Sequence, residues 1–250
     1  MTLVAMAVGS LTSVLSVQVV AAGQSRGDQL ETSQGPLNVV PISHATLALR
    51  WNKLTIYVDP VGGVEAFKGL PQPDLILVTD IHGDHLNVDT LTAIRAETTK
   101  IVAPAAVAEK LPDALSQATR VLANGEEADV LGVAIRAVPM YNLTPERLKF
   151  HAKGRGNGYV LTLGDRRVYL SGDTEDIPEM RALKGIDVAF LCMNLPYTMT
   201  VEQAASAARE FRPKIVYPYH YRGSDIDQFR RLVGSDLDIE VRLREWYPSK

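Results

Sequence analysis

The sequence predicts a layered fold of mixed α-helix and β-strand, and three features carry that expectation. Short runs rich in Val, Ile and Leu come first and close together, as in Leu37 to Val40, Ala45 to Arg50 and Leu54 to Val58, with turn signals such as Trp51-Asn52-Lys53 between them. Later strand-like runs alternate with helical spacing. Acidic and histidine side chains stand just past the ends of several of these runs, where loops on a rigid sheet carry chemistry.

The elements follow in order. Asp74 to Thr79 is a continuous apolar run bounded by Pro73 and reads as a strand buried on both faces. Leu91 and Ile94 give Leu86 to Ala96 a helical face, and Pro104 to Leu111 reads as a second helix with proline in its first turn. Strands return at Val133 to Val138, Tyr159 to Leu163 and Val168 to Leu170. Helices at Pro178 to Leu183 and Val201 to Phe211 flank a buried strand at Val188 to Met193. Lys214 to Tyr217 is the final strand and Asp225 to Val233 the last helix.

Composition narrows the function. The chain has 250 residues, 46% hydrophobic and 22% charged, enough for a substantial core. A formal charge of −3 offers no broad attraction to nucleic acid, so the expected partner is a small-molecule substrate. Cys192, the only cysteine, lies in an apolar run as a packed thiol, so a metal site must draw on His, Asp or Glu. Residues 1–22 carry no charge and read as a secretory signal segment, which predicts a periplasmic or secreted protein with no membrane span after cleavage. The missing basic start makes an uncleaved membrane anchor the alternative. Residues 23–35 read as a polar tether, and 36–250 as one domain.

The richest segment is Asp80-Ile81-His82-Gly83-Asp84-His85, immediately beyond a buried strand. Its structural alternative is a polar loop with Asp84 as the N-cap of the next helix. Asp173 in Ser171-Gly172-Asp173 and His220 in Tyr217-Pro218-Tyr219-His220 occupy equivalent places after two further apolar runs. Separately these read as a turn and a hydrogen-bonded corner; together they fit a site assembled from loops.

In order and spacing, the sequence from about Val39 to Arg222 resembles the metallo-β-lactamase superfamily, whose signature is a His-x-His-x-Asp-His loop. Ser43-His44-Ala45 and Ile56-Tyr57-Val58-Asp59-Pro60 further resemble the branch that includes L-ascorbate-6-phosphate lactonases. The resemblance implies a four-layer αββα sandwich and one or two divalent ions, zinc foremost, with manganese or iron as alternatives. It places His82 at one metal position and Asp84, His85 and His220 at a second, with Asp173 bridging. Asp80 replaces the usual first histidine, and Asn142 stands in the slot of the histidine that completes the first position. The expected site is therefore lopsided, with harder, oxygen-rich ligation around Asp80.

The expected activity is hydrolysis of an ester, lactone or related carbonyl by metal-activated water, with Asp84 and Asp173 orienting the water and moving its proton. His44, Asn142, His151 and Tyr221 are expected on the substrate side, and Tyr141, Tyr197 and Tyr219 along the cleft. A loop histidine such as His151 more often faces solvent or substrate than a metal. Lys149, Lys153 and Arg155 support a phosphodiesterase alternative, and the two departures from the signature support a non-catalytic metal-binding one.

Overall fold

The computed structural model describes residues 27–247, so the expected signal segment lies outside the described residues. Seven strands form the first sheet in chain order: β1 (Asp28–Leu30), β2 (Leu37–Ser43), β3 (Thr46–Trp51), β4 (Leu54–Val58), β5 (Leu75–Leu77), β6 (Lys100–Ala103) and β7 (Thr119–Val121). The strands β1 to β4 run antiparallel and β4 to β7 parallel. The second sheet repeats this plan with β8 (Glu127–Val130), β9 (Val133–Met140), β10 (Gly156–Leu163), β11 (Arg166–Leu170), β12 (Val188–Cys192), β13 (Ile215–Tyr219) and β14 (Glu240–Val241). Here β8 to β11 are antiparallel and β11 to β14 parallel.

Alternation along the strands makes the layers. In β4, Ile56 and Val58 face the second sheet while Tyr57 faces outward; in β5, Leu75 and Leu77 face inward and Ile76 outward. The outward residues pack beneath α1 (Val88–Ile94), α2 (Ala105–Ala108) and α3 (Asp113–Ser116) through Leu91, Ile94, Val107 and Leu115. The second sheet is covered by α4 (Pro178–Arg181), α5 (Val201–Phe211) and α6 (Ile226–Val233), and β12 is buried along its whole length. The expected αββα sandwich is the observed one.

Three differences from the sequence reading have physical causes. Part of the expected tether belongs to the sheet, because Asp28–Leu30 pairs with Leu37–Val39 and Asp28 is held by Arg244 and Tyr217. Asp84 does not cap α1; the Asn87 side chain does, accepting from the Thr90 N–H at 2.8 Å, which leaves the Asp84 carboxylate for the loop. Finally, β10 begins at Gly156 rather than Tyr159. Its Gly-Asn-Gly start reads as a turn, but a Cβ at Gly158 would lie 2.8 Å from the Leu170 carbonyl oxygen of the neighbouring strand, so glycine permits the close pairing.

Candidate metal centre

The site lies past the C-terminal ends of β4, β5, β11 and β13, joined by the β2–β3 turn and the loop after β9. Parallel strands deliver their ends to one edge, and the two sheets bring both sets of ends together. Gly172, with φ of 61°, turns the chain so that Asp173 enters the gap between the sheets, and its N–H donates to the Tyr219 hydroxyl oxygen at 3.0 Å. His44, Asp59 and His220 also have positive φ, at 49°, 44° and 47°. Such backbone conformations are costly for residues other than glycine and concentrate where a side chain must be aimed.

All five histidines of the chain meet here. Asp173 is the hub: its Oδ2 lies 3.2 Å from His85 Nε2 and 3.3 Å from His151 Nε2, and its Oδ1 lies 3.2 Å from His220 Nε2. On one side, Asp84 Oδ2 is 3.1 Å from His44 Nε2 and 3.4 Å from His220 Nε2. On the other, Asp80 Oδ2 is 2.7 Å from His82 Nδ1 and 3.7 Å from His151 Nε2. Three candidate ligand groups result, the first two sharing His220: His44, Asp84 and His220; His85, Asp173 and His220; and Asp80, His82 and His151. The Asp84 and His82 side chains, 44% and 40% exposed, mark the mouth, while His85, Asp173, His151 and His220 are buried.

Supporting contacts fix these rings. Asp59, fully buried, lies 2.8 Å from His85 Nδ1 and accepts from the Thr79 hydroxyl at 2.6 Å, so His85 presents Nε2 to Asp173. His44 Nδ1 lies 2.6 Å from the Tyr247 hydroxyl, and its ring lies against His220, tilted by 34° with 3.7 Å between centroids. Arg155 meets both oxygens of Asp80, at 3.2 and 3.1 Å, and also donates to the Phe150 carbonyl.

Electrostatics follow from this crowding. Burial alone would raise the Asp173 carboxyl, but the imidazoles of His220 and His85 and the hydrogen bonds from His151 and His85 hold it well below the usual range. Asp84 is likewise held low, burial being outweighed by the His220 and His44 contacts. Burial opposes charge on His85, yet Asp173 and Asp59 raise it well above its ordinary value in the ion-free protein. Burial pushes the Cys192 thiol up to about 12, as expected of a packed residue.

The donor set fits divalent ions. His85 Nε2, His151 Nε2, His220 Nε2 and Asp173 Oδ1 are buried and have no hydrogen-bond partner, although they converge on one another. Buried polar atoms are rarely left so. Imidazole nitrogens aimed at shared carboxylate oxygens are what a nitrogen- and oxygen-ligated cation requires.

The chain matches known proteins over most of its length. A family model described as the beta-lactamase superfamily domain matches residues 55–221, and the chain belongs to the metallo-β-lactamase superfamily. More narrowly, it is a metal-dependent hydrolase: it is 31% identical, over 80% of this chain and 93% of the relative, to a UPF0173 metal-dependent hydrolase of Pyrococcus horikoshii. A solved protein of Parabacteroides distasonis, described as a metal-dependent hydrolase, is 44% identical with a TM-score of 0.81, covering 88% of this chain and 99% of that one. The metallo hydrolase Igni18 of Ignicoccus hospitalis shares the fold, with a TM-score of 0.70 at 23% identity over 84% of this chain and 95% of that one.

The six expected metal residues, Asp80, His82, Asp84, His85, Asp173 and His220, all converge. Among the expected substrate residues, His44 is at the site, beside Asp84. His151 does not face solvent; it folds back to bring Nε2 within 3.3 Å of Asp173 Oδ2, in one group with Asp80 and His82. Asn142 is buried beside it, its side-chain amide donating to the Arg147 and Tyr197 carbonyls at 2.9 and 2.7 Å. Tyr221 donates to the Arg244 carbonyl and packs against Tyr247, one step away from the ligands. Of the tyrosines expected along the cleft, Tyr219 is buried beneath Gly172 and Tyr141 is committed to Glu179; Tyr197 alone stays exposed.

Sequence reasoning missed the partners: Arg155 for Asp80, Tyr247 for His44, and Glu175, which anchors the loop carrying His151. A carboxylate in place of a histidine at a buried position signals a need for a nearby cation, and Arg155 was the available hint. Tyr247 and Glu175 left no such signal in the sequence.

Proposed function

We propose that this hydrolase acts on an ester or lactone carbonyl, at a centre held by His85, Asp84, His220 and Asp173 on one side and by Asp173, His151, His82 and Asp80 on the other. The carrying observation is the convergence of three otherwise unpartnered imidazole nitrogens on one buried carboxylate. When bound, divalent ions acidify a water molecule and polarise the substrate's carbonyl oxygen.

The chain's residues do the rest. Asp59 and Thr79 lock the His85 tautomer and orientation. Asp84, ionised and half exposed at the mouth, is placed to take a proton from the attacking water and pass it to the leaving oxygen. His44, anchored by Tyr247, steadies Asp84 for that transfer. Arg155 offsets the charge of Asp80, which leaves that side with fewer free carboxylate lone pairs and favours a tighter hold at the His85 side. Both sides then carry two imidazoles and two carboxylates, a mixed nitrogen and oxygen set that suits zinc, with manganese or iron as alternatives.

The phosphodiesterase reading has less support. Lys153 is paired with Glu179 at 2.7 Å, Lys149 lies over the Phe150 ring and Arg155 is committed to Asp80, so this basic loop does not converge on a phosphate. The lactone option draws on the motifs around His44 and Asp59, and export remains our reading of residues 1–22. Rates on a lactone, an aryl ester and bis-p-nitrophenyl phosphate test the proposal. It expects turnover of a carbonyl substrate, abolished in Asp84→Ala with circular dichroism unchanged. Preference for the phosphodiester, or full activity in Asp84→Ala, would overturn it.

A further inference from the structure

Four of the eight exposed large hydrophobic side chains among the described residues sit on two loops: Leu143 and Leu148, 47% and 48% exposed, and Leu195 and Tyr197, 47% and 45% exposed. Both loops are tied to the metal centre. The Tyr197 carbonyl oxygen lies 3.1 Å from His151 Nδ1, and the other nitrogen of that ring lies 3.3 Å from Asp173. The Phe150 ring meets Tyr197 edge-on at 5.0 Å and joins the two loops.

The polar groups of these loops turn inward. Glu175, its side chain buried, accepts from the Leu143 and Thr144 N–H groups, the Thr144 hydroxyl and Arg147, and Arg147 also donates to the Thr198 carbonyl. With backbone and charges satisfied beneath, the loops present their apolar side chains outward beside the site. Exposed apolar groups are ordinary when scattered, whereas a cluster against a functional site marks a recognition surface.

We infer that this rim, formed by Leu143, Leu148, Leu195 and Tyr197, binds an apolar acyl group of the substrate and sets specificity for longer acyl chains. The inference rests on the carbonyl-hydrolase reading and names its substrate class. The occupant is a small apolar group of the substrate because both loops that carry the rim also contact His151, whose other ring nitrogen lies against Asp173, so the rim borders the centre. A fully buried methylene contributes about a fourfold preference; a rim open on one side is expected to give about twofold per methylene.

Two measurements on the full chain test this. In the first, kcat/KM is compared across p-nitrophenyl acetate, butyrate and hexanoate. About a sixteenfold rise over the four added methylenes from acetate to hexanoate is expected, with the ratio falling toward one in Leu148→Ser and Tyr197→Ser. In the second, calorimetry compares hexanoate with acetate, whose shared carboxylate cancels; hexanoate should bind about sixteenfold tighter. Equal affinities and a flat ester series would overturn the inference. Equal affinities accompanied by self-association that Leu148→Ser abolishes would also overturn it, assigning the rim to a second copy. Tighter hexanoate binding without ester turnover would uphold the rim and remove the carbonyl-hydrolase reading instead.

Discussion

At the residue scale, the centre depends on pairs in which one partner fixes the other. Asp59 accepts from the Thr79 N–H and hydroxyl and lies against His85 Nδ1, so Asp59→Asn loosens the tautomer of a ligand rather than removing one. Metal affinity in a competition titration should fall about 10- to 100-fold with the fold retained. Arg155→Met removes the guanidinium that meets both oxygens of the buried Asp80 and leaves His82 as its near partner. In chelator, urea denaturation should show a loss of about 1 to 3 kcal/mol, recovered in part by Asp80→Asn in the same chain. His85 supplies a pH signature. Its folded-state value is raised, so its contribution to the ion-free protein is present below the unfolded value of 6.5 and is lost as pH rises through the raised value. An entering ion displaces that proton; calorimetry in buffers of different ionisation enthalpy should register proton release at neutral pH and affinity rising with pH.

At the element scale, the strands that end at the centre were the most legible parts of the chain. Continuous apolar runs such as those of β5 and β12 can only be buried on both faces, and α5 agrees with its expected bounds because a capping box between Thr200 and Gln203 starts it. Thr200→Ala should cost about 1 kcal/mol in thermal denaturation. Short edge strands were not legible: β7 is three residues with few apolar positions, and β1 is held by contacts distant in sequence. Asp28 accepts from Arg244 at 2.8 Å and from the Tyr217 hydroxyl at 2.6 Å. Burial would raise its carboxyl, but these partners lower it, so their stabilisation is present above the unfolded value of 3.8 and fades on acidification. Asp28→Asn should therefore cost about 0.5 to 1 kcal/mol at neutral pH and little in strong acid. The ligand loop was legible for a different reason, since its residues crowd one stretch of sequence. His151 was not, because only the fold of its loop, held by Glu175 and Asn142, decides where a lone histidine points.

At the scale of the whole molecule, two sheets of matching plan bring their strand ends to one edge, and the centre ties them together. His85 and Asp84 follow the first sheet's β5, His220 and Asp173 follow strands of the second, and His44 comes from a turn of the first. An ion held by both sheets binds only the folded chain. At a free concentration about 100-fold above its dissociation constant it should add about 2.7 kcal/mol of stability. For a domain of this size that is a melting temperature about 5 to 10 °C above that of chelated protein. The proposed function makes this shared centre the catalytic one. The most direct test titrates zinc or manganese into chelated protein while following both bound metal and hydrolysis of a carbonyl substrate. Activity should be absent without metal, rise with occupancy, saturate at one to two ions per chain and not return in Asp173→Ala. Turnover that is independent of bound metal, or that survives in Asp173→Ala, would contradict it.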